Sequence, residues 1–249
     1  DGGQEVTRYA WWETGLLRSV ERPDGTLVEL DYDPWARRVS KRVSERQPDG
    51  RARVLSTTRF VWDGVHLLHE IKRSEDADGA PVVEERTYLF EDIRTVPVAH
   101  RDVRTAAGQR TESGWFHYLT DATGAPEALV DAAGAVVCDL QRTPWGQATF
   151  APGHTTTTPL RFRGQYADEE TGLSYNRYRT YDPEIGRYIS SDPIEMLGGL
   201  NLFAYAFNCP TSAIDVAGLA GTSMLTVIKD ANGKPVATGL NADPNAPKG

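Results

Sequence analysis

Polar and apolar residues alternate along short segments of the chain, and each segment ends in a turn signal. Thr26–Tyr32 alternates in this way and follows Pro23-Asp24-Gly25, residues that favour tight turns. Thr58–Trp62 leads into Asp63-Gly64, and the alternation resumes over Val65–Ile71, which is the pattern of a β-hairpin. Helical periodicity is scarce, so the pattern predicts an all-β protein.

The alternating segments recur along the chain with a common punctuation. Further strands and hairpins are predicted at Arg86–Phe90, at Trp115–Leu119 with Pro126–Val130 across Ala122-Thr123-Gly124, and at Ala135–Leu140 after Asp131-Ala132-Ala133-Gly134. An aromatic residue followed by aspartate stands at the end of several strands, as in Tyr32-Asp33, Trp62-Asp63 and Tyr181-Asp182. This recurrence indicates a repeat protein, in which each unit buries its apolar face against its neighbours.

The charge of the chain excludes one class of partner. The formal net charge is −8, whereas a nucleic-acid-binding surface needs clustered lysine and arginine. We therefore expect no nucleic acid partner. Basic residues do cluster in one strand, and alternation predicts that every second one faces water; they are Arg37, Arg38, Lys41, Arg42 and Arg46. No apolar run is long enough to predict a membrane span.

Cysteine and histidine show no spacing typical of a metal or cofactor site, and we expect neither a metal nor a cofactor. Cys138 and Cys209 are too few for a disulfide framework, and both are predicted to be small buried apolar residues. Four histidines are predicted to lie on strand surfaces, namely His66, His69, His100 and His117. His154 stands alone in a polar segment.

A polar, low-complexity segment divides the chain. Gly153-His154 and the four threonines that follow it predict a loop over residues 153–158. We expect a repeat segment over residues 1–160, a distinct unit over 161–219 and the start of a third region over 220–249.

The two ends of the chain carry weaker signals. The chain opens at Asp1 inside what looks like repeat sequence, without a signal peptide, so we expect it to be a piece of a longer protein. Near the other end, Leu225–Lys229 and Pro235–Thr238 flank Asn232-Gly233, which predicts one hairpin.

The strongest sequence signal is an ordered series of short motifs between Arg161 and Leu219. The series includes Arg163-Gly164-Gln165-Tyr166, Asp168-Glu169-Glu170-Thr171-Gly172-Leu173, Tyr175-Asn176-Arg177-Tyr178-Arg179, Tyr181-Asp182-Pro183-Glu184-Ile185-Gly186-Arg187-Tyr188, Ser191-Asp192-Pro193-Ile194, Asn208-Cys209-Pro210 and Ile214-Asp215-Val216-Ala217-Gly218-Leu219. Over roughly sixty residues it closely resembles the RHS repeat-associated core domain. The strands before it resemble YD-repeats, although Ala36 stands where that repeat usually has glycine.

The resemblance implies an architecture and a set of partners. In such proteins the YD-repeats wind into a hollow β-shell, or β-cocoon, and the RHS core spirals inward to plug one end. A variable C-terminal effector, often a toxin, follows the core and is enclosed as cargo. The resemblance therefore implies a polymorphic toxin that is secreted or delivered out of a bacterial cell in interbacterial competition. Its partners would be its own effector region and upstream Rhs repeats, with secretion-apparatus and immunity proteins as further candidates.

The resemblance also implies autoproteolysis by an aspartyl-protease-like pair of carboxyls. Carried onto this chain, the pair is Asp192 and Asp215, and the cleaved bond is Leu219–Ala220. Pro193 and Gly218 belong to the two supporting motifs. Val216 replaces the proline that is usual in the second motif, and proline would fix φ near −65° in the cleavage loop.

The chemistry of hydrolysis is compatible with such a pair. Two carboxyls held close together do not both ionise easily, so one keeps its proton and the pair supplies both an acid and a base. Arg187 is the expected positive group that orients a carboxylate or stabilises the developing oxyanion. Taken alone, each aspartate is also a common turn former. The tyrosines of the series are expected to pack the core.

Two other functions stay open at the level of the sequence. The repeats could form an adhesion module that binds carbohydrate or another partner without catalysis, with Trp11, Trp12 and Trp35 stacking on sugars. Alternatively, the two carboxyls could hydrolyse an external substrate, which requires an open cleft with carboxyls about 5–10 Å apart.

Overall fold

The computed structural model describes residues 6–91 and 95–219, together with the backbone of residues 222–223, 226–229 and 235–239. In this part of the chain nearly all regular structure is antiparallel β, which confirms the predicted fold class. A twelve-stranded sheet, here called the wall sheet, consists of β1 Arg8–Trp11, β2 Leu17–Glu21, β3 Thr26–Tyr32, β4 Arg38–Arg46, β5 Ala52–Asp63, β6 His66–Glu75, β7 Pro81–Phe90, β8 Pro97–Ala106, β9 Gln109–Thr120, β10 Pro126–Val130, β11 Val136–Arg142 and β12 Ala148–Phe150.

The wall sheet is a meander in which each strand pairs with the next one along the chain. Many of its turns use the same local device, as the turn between β6 and β7 shows. Asp76 accepts the N–H groups of Asp78 and Ala80 on its Oδ1 atom at 3.0 and 2.8 Å, and Gly79 takes a φ of +79°. Glycine adopts this left-handed conformation without steric cost. Ala36 takes the equivalent conformation with a φ of +59°, at the position where the YD-repeat usually has glycine.

The residues after the wall sheet form a smaller sheet, here called the core sheet, and then irregular structure. The core sheet consists of β13 Tyr166–Asp168, β14 Leu173–Asn176, β15 Arg179–Asp182 and β16 Arg187–Tyr188. Two short 3₁₀ turns follow, at Glu195–Gly198 and Ala206–Asn208, and then the paired strands β17 Ala213–Ile214 and β18 Thr222–Ser223.

The predicted C-terminal hairpin is present as the antiparallel strands β19 Thr226–Lys229 and β20 Pro235–Gly239. Its predicted turn residues, Asn232 and Gly233, lie outside the described residues. The polar segment at residues 153–158 contains no strand or helix and lies between the wall and core sheets, as a loop should. Among the described residues, no helix has the length and apolar character needed to cross a membrane.

The core sheet packs on one face of the wall sheet. Leu173 lies in an apolar cluster with Leu17, Val20 and Val28 of the wall. Further along, the hydroxyl of Tyr166 donates to the Glu70 carboxylate at 2.6 Å. Burial of these apolar side chains, each worth about 1.5–3 kcal/mol, fastens the core sheet to the wall.

Buried ions join the two sheets, and they come from the basic cluster of β4. Arg42 and Arg46 are exposed, whereas Arg38 and Lys41 are buried and form ion pairs with Asp168 at 2.6 and 3.0 Å. Burial alone would raise the pKa of Asp168, but the charges of Arg38 and Lys41 outweigh it and hold that pKa below its usual value. The two basic side chains therefore connect the wall to the core sheet instead of facing water.

Two predictions about individual residues were wrong. His100, expected at a strand surface, is fully buried, and its Nδ1 atom lies 2.9 Å from the hydroxyl of Tyr118. Burial, followed by the charge of Arg86, lowers the pKa of His100 to about 3, so the imidazole is neutral. Cys138 is buried as expected, but Cys209 is exposed because it follows a 3₁₀ turn at the surface of the core.

Candidate functional site around Arg179

Asp215 anchors the turn that leads to the predicted cleavage site. Its Oδ1 atom accepts the N–H of Leu219, four residues ahead, at 3.0 Å, and Gly218 takes a φ of +69°. The contact to the residue four ahead and the positive φ of the glycine also occur in the Asp76–Ala80 turn of the wall sheet. A Cβ added to Gly218 would collide with the backbone oxygen of Asn176, so only glycine fits. Asp215 is 1% exposed.

Asp192 occupies a related turn. Its Oδ1 atom accepts the N–H of Ile194 at 3.0 Å, and its carbonyl accepts the N–H of Glu195 at 3.0 Å. Pro193 supplies the second residue of this turn, and Glu195 has a φ of +53° where the wall turns have glycine. The Oδ2 atom of Asp192 is left to face Arg179.

Arg179 joins the two aspartates. Its Nη1 atom lies 3.0 Å from Oδ2 of Asp192, and its Nη2 atom lies 3.0 Å from Oδ2 of Asp215. Its Nε atom donates to the carbonyl of Gly218 at 2.6 Å. One guanidinium therefore binds both carboxyls and the backbone of the turn that carries Leu219, and its rigid fork suits this task.

A second chain of hydrogen bonds holds Asp215 from the other side. The hydroxyl of Tyr188 donates to Oδ2 of Asp215 at 2.9 Å and accepts the side-chain N–H of Asn176 at 2.7 Å. Burial, and then the Asp215 charge, raises the pKa of Tyr188 well above its usual value, so the phenol stays a donor. Arg179, Tyr188 and the Leu219 N–H therefore all donate hydrogen bonds to the Asp215 carboxyl.

Asp192 has a different electrostatic environment. Burial raises the pKa of its carboxyl, and the nearby Asp215 charge adds to this, while the Ile194 N–H and Arg179 oppose it. The net shift is upward. Asp192 is therefore the carboxyl of the pair that holds a proton more readily than a free aspartate.

Gly198 brings Asp192 next to the carbonyl of Leu219. A Cβ added to Gly198 would contact Oδ2 of Asp192 and would lie 2.7 Å from the Leu219 oxygen, so both oxygens face the same small space. An open cavity of about 200 Å³ begins there and is lined by Arg179, Gly198 and Leu200. Water has room to reach this side of the site.

The predicted site residues fall into two groups. Asp192, Asp215 and Leu219 are brought together, and Gly218 supports them; Ala220 lies outside the described residues. Arg187 is not with them: it is exposed, and its guanidinium lies 4.7 Å from the centre of the Phe203 ring. Arg187 and Tyr188 are successive residues of β16, so their side chains point to opposite faces, and Tyr188 takes the inner one.

Sequence reasoning missed Arg179, Tyr188 and Asn176 as members of the site. Arg179 stood within the quoted motif series, but its neighbours in β15 gave no hint of its partners. β15 continues with Thr180, Tyr181 and Asp182, and this polar and charged strand contains no local pattern that marks Arg179 as a buried cation. Among the described residues, no group of histidine, cysteine, aspartate and glutamate is arranged to hold a metal ion.

Two of the three tryptophans proposed for sugar stacking already contact other residues of the chain. Trp12 donates its indole N–H to the carbonyl of Leu30 at 3.2 Å, and the Arg18 guanidinium lies 4.7 Å from its ring centre. The Arg37 guanidinium lies 5.2 Å from the ring centre of Trp35, which is 61% exposed.

Comparison with known proteins agrees with the described fold. Residues 105–209 match the family model of the teneurin YD-shell. The chain is 37% identical over 241 residues to double-stranded DNA deaminase toxin A of Burkholderia cenocepacia, covering 90% of this chain and 16% of that protein. It is 32% identical over 231 residues to the probable deoxyribonuclease RhsB of Dickeya dadantii, covering 92% of this chain and 15% of that protein.

A solved structure shows the same fold. The crystal structure of TcdB2-TccC3-TEV superposes with a TM-score of 0.68 at 23% identity, covering 86% of this chain and 10% of that one. The chain spans about one sixth of the length of its curated relatives. The YD-shell match, the relatives named as Rhs proteins and toxins, and the meandering β-wall with its core sheet lead to one conclusion: this chain belongs to the Rhs family of YD-repeat proteins.

Proposed function

We propose that this chain is the closing end of an Rhs toxin-delivery shell and that it cuts its own backbone between Leu219 and Ala220. In this proposal residues 1–160 are shell wall, residues 161–219 are the core plug with the cleavage site, and residues 220–249 begin the enclosed effector. One reported relative is named as a toxin and another as a probable deoxyribonuclease of the Rhs type. The meander offers β1, exposed along its length at one end of the wall sheet, to preceding repeats. Delivery out of a bacterial cell follows from the same likeness.

One observation carries the self-cleavage proposal: Arg179 binds both buried aspartates and also the turn that ends in Leu219. In this proposal Asp215, which accepts hydrogen bonds from Arg179 and Tyr188, takes a proton from water, and Asp192, whose pKa burial raises, is the proton donor. A bond built into the same turn needs no separate binding step, and such pre-positioning is worth up to about 7–11 kcal/mol of the barrier.

The proposed hydrolysis has two steps, attack of water and release of the amine. The oxygen of a water molecule attacks the carbonyl carbon of Leu219 and gives its proton to Asp215, while Asp192 gives its proton to the carbonyl oxygen. The resulting diol returns a proton to Asp192 as the C–N bond breaks, and the leaving amine takes the proton from Asp215. The products are a carboxyl group on Leu219 and an amine on Ala220, and each proton transfer contributes about 10²–10⁴-fold.

The structure favours this substrate over an external one. Asp192 and Asp215 are 4% and 1% exposed, so an external substrate would have to displace the turn that already fills the site. For the adhesion alternative, Trp35 is the most exposed of the three tryptophans, but Arg37 lies over it. Self-cleavage is therefore the function we propose.

The test is the intact mass of the purified chain over time. Asp192→Asn and Asp215→Asn keep the shape of each side chain but replace the carboxyl, which can gain and lose a proton, with an amide, which cannot. Each single variant should therefore stay uncut. The double variant should be hardly slower than either single one, because the two act as a unit. Asp76→Asn, in a matching turn of the wall, is the control and should cleave normally. Cleavage that persists in Asp192→Asn, or a new terminus elsewhere than Ala220, contradicts the proposal.

A further inference from the structure

The predicted cleavage site lies in a loop that is closed by strand pairing. β17 and β18 pair antiparallel, with Ala213 opposite Ser223 and Ile214 opposite Thr222. Residues 215–221 connect these two strands. The Leu219–Ala220 bond therefore lies inside a small hairpin, with Asp215 at its beginning.

The side of the hairpin before the bond is bound by the core residue by residue. The Asp215 carbonyl accepts the side-chain N–H of Asn176 at 2.9 Å, and the Ala217 carbonyl accepts the N–H of Tyr178 at 3.2 Å. The Gly218 carbonyl accepts from Arg179, and the Leu219 N–H donates to Asp215. These contacts fix the backbone up to the carbonyl that is attacked.

Beyond the bond, the next pairing with the core that the described residues show is β18. The partner strand β17 is firmly placed, because Ala213 and Ile214 are both 3% exposed. The Ala213 N–H also donates to the Cys209 carbonyl at 2.9 Å. The buried strand β17 therefore offers its backbone to the part of the chain that follows the cleavage site.

We propose that β17 is the docking strand for the effector side of the cleavage site and positions the bond by backbone pairing with β18. This inference rests on the proposed self-cleavage. Pairing of this kind uses main-chain N–H and C=O groups, so it accepts many side chains. It rejects proline, which has no N–H and interrupts a strand. The core can therefore process different effectors, provided that their first residues can adopt an extended conformation.

The pairing has a consequence for the product. After hydrolysis the new amino terminus at Ala220 is no longer covalently joined to Leu219, but Thr222–Ser223 stays paired with Ala213–Ile214. The released effector end therefore remains docked on the core through β18, and its escape requires this pairing to open.

The experiment compares two variants of the whole chain with wild type by intact mass over time. Thr222→Pro/Ser223→Pro removes the N–H groups of β18, and cleavage should slow by about tenfold or more, since a small misplacement of the reacting bond has a large effect on rate. Val227→Pro places proline in β19, which pairs with β20, and should cleave within about twofold of wild type.

A second measurement separates loss of positioning from loss of folding. In the uncut Asp192→Asn chain, the amides of residues 222–223 should exchange slowly with solvent, and the added proline pair should remove protection at Ala213–Ile214 without changing the melting temperature. Wild-type cleavage rates in the proline pair variant would overturn the docking strand and leave the self-cleavage proposal intact. Cleavage in Asp192→Asn, or none in wild type, would overturn the self-cleavage proposal, and the docking strand with it.

Discussion

The turn at Asp76 in the wall and the turn at Asp215 in the core share two local features and differ in their surroundings. In both, Oδ1 of the aspartate accepts the N–H of the residue four positions ahead, at 2.8 Å from Ala80 and 3.0 Å from Leu219. In both, the third residue after the aspartate is a glycine with positive φ, +79° at Gly79 and +69° at Gly218. Asp76 is exposed, whereas Asp215 is buried.

The difference lies in what reaches the second carboxylate oxygen. In the core, Oδ2 of Asp215 binds Arg179 and Tyr188, and Arg179 brings in Asp192 from a second turn. At Asp76, water surrounds the carboxylate and screens its charge. The turn itself therefore fixes only the position of the aspartate side chain and of the backbone that follows it. Reactive chemistry requires the same turn to be buried against a second carboxyl and a shared cation.

The largest effect is expected when Arg179, which links the Asp192 and Asp215 turns, is replaced. Arg179→Met leaves two buried carboxyls without their cation, so we expect cleavage to slow by about 10²–10³-fold and the free energy of unfolding to fall by about 3–5 kcal/mol. Arg187→Met, in the exposed arginine of β16, is the matched control and should change the cleavage rate less than twofold and stability by less than about 0.5 kcal/mol. Intact mass and thermal melting measure both. Arg179→Lys, which keeps the charge without the fork, should lie between them; equal slowing in Arg187→Met would contradict this assignment.

A smaller effect should separate the two turn glycines. Gly79→Ala meets open space and carries only the cost of positive φ, so it should lower the free energy of unfolding by about 1 kcal/mol and leave cleavage unchanged. Gly218→Ala drives its Cβ into the backbone oxygen of Asn176, with the Arg179 N–H nitrogen only 3.3 Å away. The turn must then move, and we expect cleavage to slow by about tenfold or more. Equal cleavage rates in the two variants would show that the core turn tolerates displacement.

The mildest test is the dependence of cleavage on pH. In the proposed mechanism Asp192 acts in its protonated form, and burial raises the pKa of that carboxyl. On the high-pH side, the rate should therefore fall by about tenfold per pH unit once the pH exceeds the folded-state pKa of Asp192. The same upward shift means that Asp192 stabilises the fold while it is protonated, and that this contribution is lost as pH rises. Intact mass followed over time at a series of pH values measures the rate; a rate that does not fall at high pH would contradict a protonated Asp192.

Much of the fold could be predicted from local sequence. Strands such as β3 and the β5–β6 hairpin follow from alternation and from Asp-Gly punctuation, because side chains of a strand point to opposite faces and turns with positive φ need glycine. The two aspartates and the turn glycine Gly218 also stood out in the ordered motif series. These features depend on residues that are close together in sequence, so they can be predicted from the sequence alone.

The tertiary structure alone decided which charges meet. Arg179 and Asp215 are 36 residues apart, and Arg38 and Asp168 are 130 apart, so no local pattern joins them. Alternation places Arg187 and Tyr188 on opposite faces but does not say which face is inside. His100 became neutral and Arg38 became buried only because the core sheet and the neighbouring strands excluded water from them. The sequence by itself determined the strands, the turns and the positions of the two aspartates along the chain. Which aspartate is buried beside a second carboxyl and a shared arginine depends on how the whole chain packs, because residues far apart in sequence must exclude water from it.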